Sequence, residues 1–269
     1  MEHSDHKKKL VVKFGTENLC GKRGALDESV FAGYARQIVK AESLGFRTVI
    51  VSSGGIKAGR EHLKELRIDD AQFKKKELAG IGARHLLNRW GEAFSFFRRE
   101  VGQVWVTFAN WRDEAERKSI KASIERYLDL GIIPIVNEND VISDTEIRLM
   151  EQGISENDRL ARMIAELIGS DAVLFLTNVQ GVYTGDPTKD PHALRYAEID
   201  AGAWVTRAER LGGASENGTG GMRKKIQEAC KCAGQGMRTA IAGTTRNVIY
   251  DFANERPVGT TLGTKDVPA

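Results

Sequence analysis

The chain has 269 residues, 41% hydrophobic and 29% charged, with Lys+Arg 40 against Asp+Glu 37 and a formal net charge of +3. That length gives one large domain or two small ones with room for a sizeable core, and the composition excludes a disordered or fibrous chain. The charge is too balanced to draw in nucleic acid by bulk electrostatics.

The opening residues 1–8 are polar and basic, and read as a disordered tail in which His3 and His6 are solvated. No apolar stretch behind them makes a signal peptide, and no run of ~18 apolar residues makes a membrane span. The three cysteines, Cys20, Cys230 and Cys232, are too few and odd in number for a disulfide framework. They read as packing residues of a cytoplasmic protein.

Lys9 to Phe14 (KLVVKF) reads as a buried strand ended by Gly15. Asp27 caps a helix with the stripe Val30, Tyr34, Ile38, stopped at Gly45. Thr48 to Val51 is a second strand, running into Ser52-Ser53-Gly54-Gly55, and a long helix follows from Lys75 to Arg98. Val104 to Phe108 is a third strand; Asp113 caps a helix carrying Ile120, Ile124 and Leu128, stopped at Gly131. Ile132 to Val136 is a fourth strand, followed by the polar run Asn137-Glu138-Asn139-Asp140. Asn157-Asp158 opens a helix through Leu167, and Ala172 to Leu176 is a fifth strand ending in Thr177-Asn178. A helix from Gly220 to about Ala233 and a sixth strand, Thr239 to Ala242, complete the pattern.

Strands that are continuous apolar runs, alternating with helices, predict an α/β fold with a mainly parallel sheet covered on both faces. With no linker, repeat or composition break, residues 9–269 read as one unit. In such sheets ligands bind beyond the carboxyl ends of the strands. Lys13 to Thr16, Ser52 to Gly55, Asn137 to Asp140 and Thr177-Asn178 all follow strands, so they are expected to line one edge.

The glycine turns at Gly15-Thr16, Ser53-Gly54-Gly55 and Gly218-Thr219-Gly220-Gly221-Met222 suit backbone contact with phosphate, although none matches GxxxxGK[ST] or GxGxxG. Each is equally an ordinary tight turn. Lys13 stands at the end of an apolar strand, where an ammonium needs a partner. Lys224 reads as a solvated helix residue, and its neighbour Lys225 as a cation that a nearby anion would explain. Asp158 reads either as a helix cap or as the holder of two lysines or of a magnesium ion. No Ser-His-Asp, Cys-His or zinc-type arrangement is legible. The set suits phosphoryl transfer, which asks for positioning and charge neutralisation, and a carboxylate acceptor needs no general base because it is already ionised at pH 7.

Five segments together carry a more specific signal: VVKFGT (Val11–Thr16), VSSGGIKAGREHL (Val51–Leu63), IPIVNENDVIS (Ile133–Ser143), ENDRLARMIAELIGSDAVLFLTNVQGVYTGDP (Glu156–Pro187) and GTGGMRKKIQEA (Gly218–Ala229). In this order they resemble the glutamate 5-kinases of the amino acid kinase family, in register from about Leu10 to Leu262. The resemblance implies a three-layer αβα sandwich, ATP with Mg²⁺, and phosphorylation of the side-chain carboxylate of L-glutamate to L-glutamyl 5-phosphate, the first step of proline biosynthesis. It implies Lys13 and Lys225 as catalytic lysines organised by Asp158. It implies Ser53, Asn137, Asp140 and Asn157 around glutamate. Around the nucleotide and its phosphates it implies Gly15, Gly54, Gly55, Thr177, Asn178, Gly218, Thr219, Gly220, Gly221 and Met222. It also implies a homo-oligomer, dimer or tetramer, with neither nucleic acid nor membrane as partner, and the short form that lacks a PUA extension.

The chain departs from the family pattern at Asn178, where an aspartate is usual, and at Lys224, where a threonine is usual. It departs also at Gly55, Ala83, Ser155-Glu156 and the segment Ala109–Asp113. Two other readings therefore stay open: a kinase of the same family with another carboxylate or phosphate acceptor, and a nucleotide-binding regulatory protein without turnover.

Overall fold

The computed structural model describes residues 7–142, 156–204 and 220–263. Among these residues eight strands form one sheet: β1 Lys8–Phe14, β2 Phe46–Ser52, β3 Val101–Val106, β4 Ile133–Glu138, β5 Ala172–Thr177, β6 Glu198–Asp200, β7 Arg238–Gly243 and β8 Thr260–Gly263. Their order across the sheet is β3-β4-β2-β1-β5-β7-β8-β6. The helices are α1 Glu28–Glu42, α2 Gly55–Glu65, α3 Lys75–Ser95, α4 Glu114–Asp129, α5 Glu156–Ile168, α6 Gly220–Gly234 and α7 Val248–Ala253.

The alternation of the strands builds the layers. Leu10, Val12 and Phe14 of β1 face a cluster completed by α1, α3 and α7, centred on Phe31, Trp90 and Phe94. Val11, from the opposite face of the same strand, joins Ile124, Leu160, Ile164, Ile226 and Ala229 of α4, α5 and α6. A strand that is apolar on both faces belongs in the middle of a covered sheet, and β1 pairs in parallel with β2 on one side and β5 on the other. The three-layer arrangement expected from the sequence is thus present.

The predicted caps form: Asp27 accepts from the Ser29 N–H at 2.8 Å and Asp113 from the Glu116 N–H at 2.9 Å. Gly45 and Gly131, the predicted stops, have φ of +85° and +72°, where glycine alone is unstrained.

Several expectations need correction. Lys8, assigned to the tail, begins β1, while residues 1–6 lie outside the described residues. The third strand spans Val101–Val106 and not Val104–Phe108, because its partner β4 begins at Ile133 and pairs with Val101. The fourth strand extends through Asn137 and Glu138, which pair with Trp105 and Val106; these two polar residues are buried in the ladder and are not a turn. Helices α2 and α7 and strands β6 and β8 were not expected. β8 runs antiparallel to β7 and carries the parallel strand β6 on its outer edge.

Helix α2 matters most for the site, because its first residues are Gly55 and Ile56. It packs on α3 along a seam of glycines. A Cβ at Gly82 would overlap the Gly55 carbonyl oxygen and the Gly59 nitrogen, and one at Gly59 would overlap the Leu78 carbonyl oxygen. Gly33, in the middle of α1, faces open space. Gly82→Ala is therefore expected to lower stability by about 1–3 kcal/mol through overpacking. Gly33→Ala is expected to raise it by about 0.5–1 kcal/mol through helix propensity. Urea melts of the two variants check this, and equal effects would mean that α2 and α3 pack less closely.

Candidate active site

The carboxyl ends of β4, β2, β1 and β5 are neighbours and parallel, so the polar segments after them share one edge, as expected. Period-2 alternation puts Lys13 on the same face of β1 as Val11, under α5 and α6. On α5 the core-facing residues are Leu160, Ala161, Ile164, Ala165 and Ile168, and Asp158, three residues before Ala161, falls on the same face. On α6 they are Ile226, Ala229, Cys230, Cys232 and Ala233, and Lys225 lies four residues before Ala229. Helical periodicity thus turns Lys225 inward and leaves Lys224 half-exposed.

These three side chains meet. Lys13 Nζ lies 2.9 Å and Lys225 Nζ 2.7 Å from the same oxygen, Oδ1 of Asp158. All are buried, with 4%, 7% and 1% of the surface of Lys13, Lys225 and Asp158 exposed. Oδ2 of Asp158 has no hydrogen-bond partner among the described residues. Burial by itself would raise the Asp158 carboxyl, but the two ammonium groups override it and hold the group at about 2. Lys225 is pushed down to about 8, first by desolvation and then by Lys13, with Asp158 opposing. Its Nζ stands 5.9 Å from the centre of the Phe175 ring on β5. Of the two readings of Asp158, the holder of two lysines is the one realised.

Beside this triad is a small cleft lined by Thr16, Ser53, Gly54, Gly55, Ile56, Asn137, Asp140 and Asn157. It unites all four residues assigned to the acceptor. Asn157 Nδ2 donates to Ser53 Oγ at 2.7 Å, which ties α5 to the β2 turn. Gly54, with φ +116°, is the N-cap of α2 and makes no side-chain cap bond, and the first turn of α2, whose N–H groups lack intrahelical partners, lines the cleft through Gly55 and Ile56. Behind it, Trp90 Nε1 donates to Ser52 Oγ at 3.1 Å and anchors the end of β2 to α3.

Thr177 ends β5 and Asn178 follows it, exposed. Gly220, Gly221 and Met222 form the first turn of α6, with Met222 half-buried against the core. Gly218 and Thr219 lie outside the described residues. Gly15 differs from expectation: its N–H does not face an open site but donates to Asn18 Oδ1 at 2.9 Å. Thr16, expected at this edge together with Gly15, lines the cleft, whereas Asn18 and Ile56 were not singled out from the sequence. Asn18 is the third residue after Gly15 and reaches back to the glycine N–H, a local capping pattern that offers the one sequence signal for it.

Residues 8–243 match the Amino acid kinase family. The chain belongs to the amino acid kinase family. It is 37% identical over 254 residues to a glutamate 5-kinase of Vibrio vulnificus, covering 94% of this chain and 66% of the relative. It is 34% identical over 252 residues to one of Aliivibrio fischeri, covering 93% and 67%. The chain thus spans about two thirds of the length of these relatives. Among solved structures, a carbamate kinase from Giardia lamblia bound to AMP-PNP superposes with a TM-score of 0.69 at 14% identity, covering 97% of this chain and all of that one. At that identity the likeness speaks for the fold. The three residues of the triad lie on β1, α5 and α6, and the family match takes in all three.

The triad makes a prediction about stability. Lys225 titrates near 8 when folded against an ordinary 10.5, so between those values the unfolded chain binds more protons and folding stability from this group rises with pH. Lys225→Met is expected to remove that rise. Urea denaturation of both proteins from pH 7.5 to 10.5 reads the difference; parallel curves would mean that Lys225 keeps an ordinary pKa.

Proposed function

We propose that this chain transfers the γ-phosphoryl group of ATP to the side-chain carboxylate of L-glutamate, giving L-glutamyl 5-phosphate for proline biosynthesis. The observation that carries the reading is the pair of buried lysines sharing one carboxylate oxygen beside a polar cleft. The triad carries two positive charges and one negative, so an anion arriving there is attracted. Phosphoryl transfer spreads negative charge over the moving group and depends on positioned cations. Lys13 on the acceptor side and Lys225 on the nucleotide side stabilise that charge, and Asp158 keeps the two ammonium groups apart from solvent and aimed at one point.

The cleft suits an amino acid. Asp140 offers a carboxylate to the α-ammonium group. Ser53, Asn157 and the N–H groups at the start of α2 suit carboxylate oxygens, with Asn137 beside them. The attacking carboxylate is ionised at neutral pH, so no base is required. Thr177, Asn178 and the α6 turn at Gly220, Gly221 and Met222 lie on the nucleotide side, with Gly218 and Thr219 assigned there by the family motif. Among the described residues no three His, Cys, Asp or Glu side chains form a metal cage. A magnesium ion carried by ATP needs none, since it keeps phosphate and water ligands. The buried Oδ2 of Asp158, which has no hydrogen-bond partner among the described residues, is a hard oxygen of the kind that ion takes. When bound, the ion neutralises phosphate charge.

The decisive assay is ADP release from Mg·ATP with and without L-glutamate, with hydroxylamine present to trap the acyl phosphate as hydroxamate. Glutamate-dependent ADP together with hydroxamate is expected; ATP binding without glutamate dependence would refute this acceptor. Lys13→Ala is expected to lower kcat at least a hundredfold, about 2.7 kcal/mol of transition-state stabilisation, with the melting transition kept. In the wild type, kcat/KM for ATP is expected to fall on an alkaline limb near pH 8 as Lys225 loses its proton. The limb in kcat should lie higher, because bound phosphate favours the ammonium. Profiles flat to pH 9.5 would remove Lys225 from the chemistry.

A further inference from the structure

Between the turn after β1 and the turn after β5 runs a short relay of amides. Asn18 is only 5% exposed. Its Oδ1 accepts from the Gly15 N–H at 2.9 Å, and its Nδ2 donates to Asn178 Oδ1 at 3.1 Å. The backbone of Asn18 is held as well, by its own N–H to the Gly15 carbonyl at 3.1 Å and by the Tyr34 hydroxyl donating to its carbonyl at 3.1 Å.

The polarity of this relay is set at one end. A backbone N–H can only donate, so the Asn18 oxygen must face Gly15 and the Asn18 NH₂ must face outward. The Asn178 oxygen must then face Asn18, which leaves the Asn178 NH₂ pointing away, at the open carboxyl edge of the sheet. Amide orientations are otherwise ambiguous, but here both follow from the Gly15 N–H.

We propose that Asn18 is a positioning residue that fixes Asn178 as a hydrogen-bond donor, so that the β5 turn donates to an acceptor oxygen of the bound nucleotide. The family pattern has a carboxylate at this position, which only accepts and carries charge. This chain presents a neutral donor in its place, of a kind matched to phosphate or ribose oxygen. The proposal rests on the nucleotide reading of the site given above.

The test is a mutant cycle of Asn18→Ala, Asn178→Ala and the double variant, with Asn178→Asp alongside. Calorimetry gives Kd for ADP and for the non-hydrolysable analogue AMP-PNP. Melting temperature and the separate KM values for ATP and glutamate are measured on the same proteins. Each alanine variant is expected to weaken nucleotide binding at least fivefold, and the double variant no more than about twofold beyond the weaker single one, because Asn18 acts through Asn178. Asn178→Asp keeps an acceptor for Asn18 but offers no donor, so it is expected to weaken binding as alanine does. KM for glutamate should move less than twofold throughout. Multiplicative effects in the double variant, wild-type affinity in Asn178→Asp, or a lower melting temperature with unchanged Kd would each overturn the proposal. A wild-type protein that binds neither nucleotide would instead overturn the kinase reading on which it rests.

Discussion

Two ammonium groups on one carboxylate oxygen are the constraint around which the molecule is arranged. Taking an isolated charge out of water costs several kcal/mol, so neither lysine tolerates its position without Asp158, nor Asp158 without them. The arrangement is still not neutral. One excess positive charge remains in a dry place, and the desolvation that pushes Lys225 down to about 8 is the mark of its cost. In the proposed function an anionic phosphoryl group completes the balance. The surplus that a purely structural ion pair would avoid is what a phosphoryl-transfer site needs in its resting state.

The rest of the fold delivers those three groups. β1 lies between β2 and β5, so Lys13 projects from the middle of the sheet. Helices α5 and α6 cover the same face and bring Asp158 and Lys225 to it by their core-facing stripes. On the other face, the glycine seam between α2 and α3 and the Trp90–Ser52 bond fix the end of β2 and the start of α2, where the cleft opens. Chemistry on one face and clamping on the other meet at the carboxyl edge of the strands.

Much of this was legible in the sequence because it rests on local periodicity. The apolar runs of β1, β2, β4 and β5 and the caps Asp27 and Asp113 each announce themselves within a few residues. The triad was reached through motif resemblance, yet the Lys225–Ala229 spacing alone already separates the inward lysine from Lys224. Helix α2 was hidden because Gly55 and Gly59 depress its propensity; they are there for the approach of α3, a partner that no local pattern reveals. Gly102 masks the start of β3 for a similar reason, since a Cβ there would meet the Tyr127 ring at 2.7 Å. β6 and β8 are three and four residues long, too short for alternation to register, and owe their existence to pairing. Asn18 was missed because its role depends on Asn178, 160 positions away.

The central place of β1 has a consequence for how the chain is made. As synthesis proceeds, β1 finds β2 early, but its other edge waits until Ala172–Thr177 has emerged, and Lys13 waits for its partner Asp158 on α5. During that interval the nascent chain carries an unpaired apolar strand edge with a stranded cation near its end. An exposed strand edge of that kind invites pairing with other chains. A lysine is costly in any intermolecular sheet that would bury it, the property by which charged residues guard exposed strand edges.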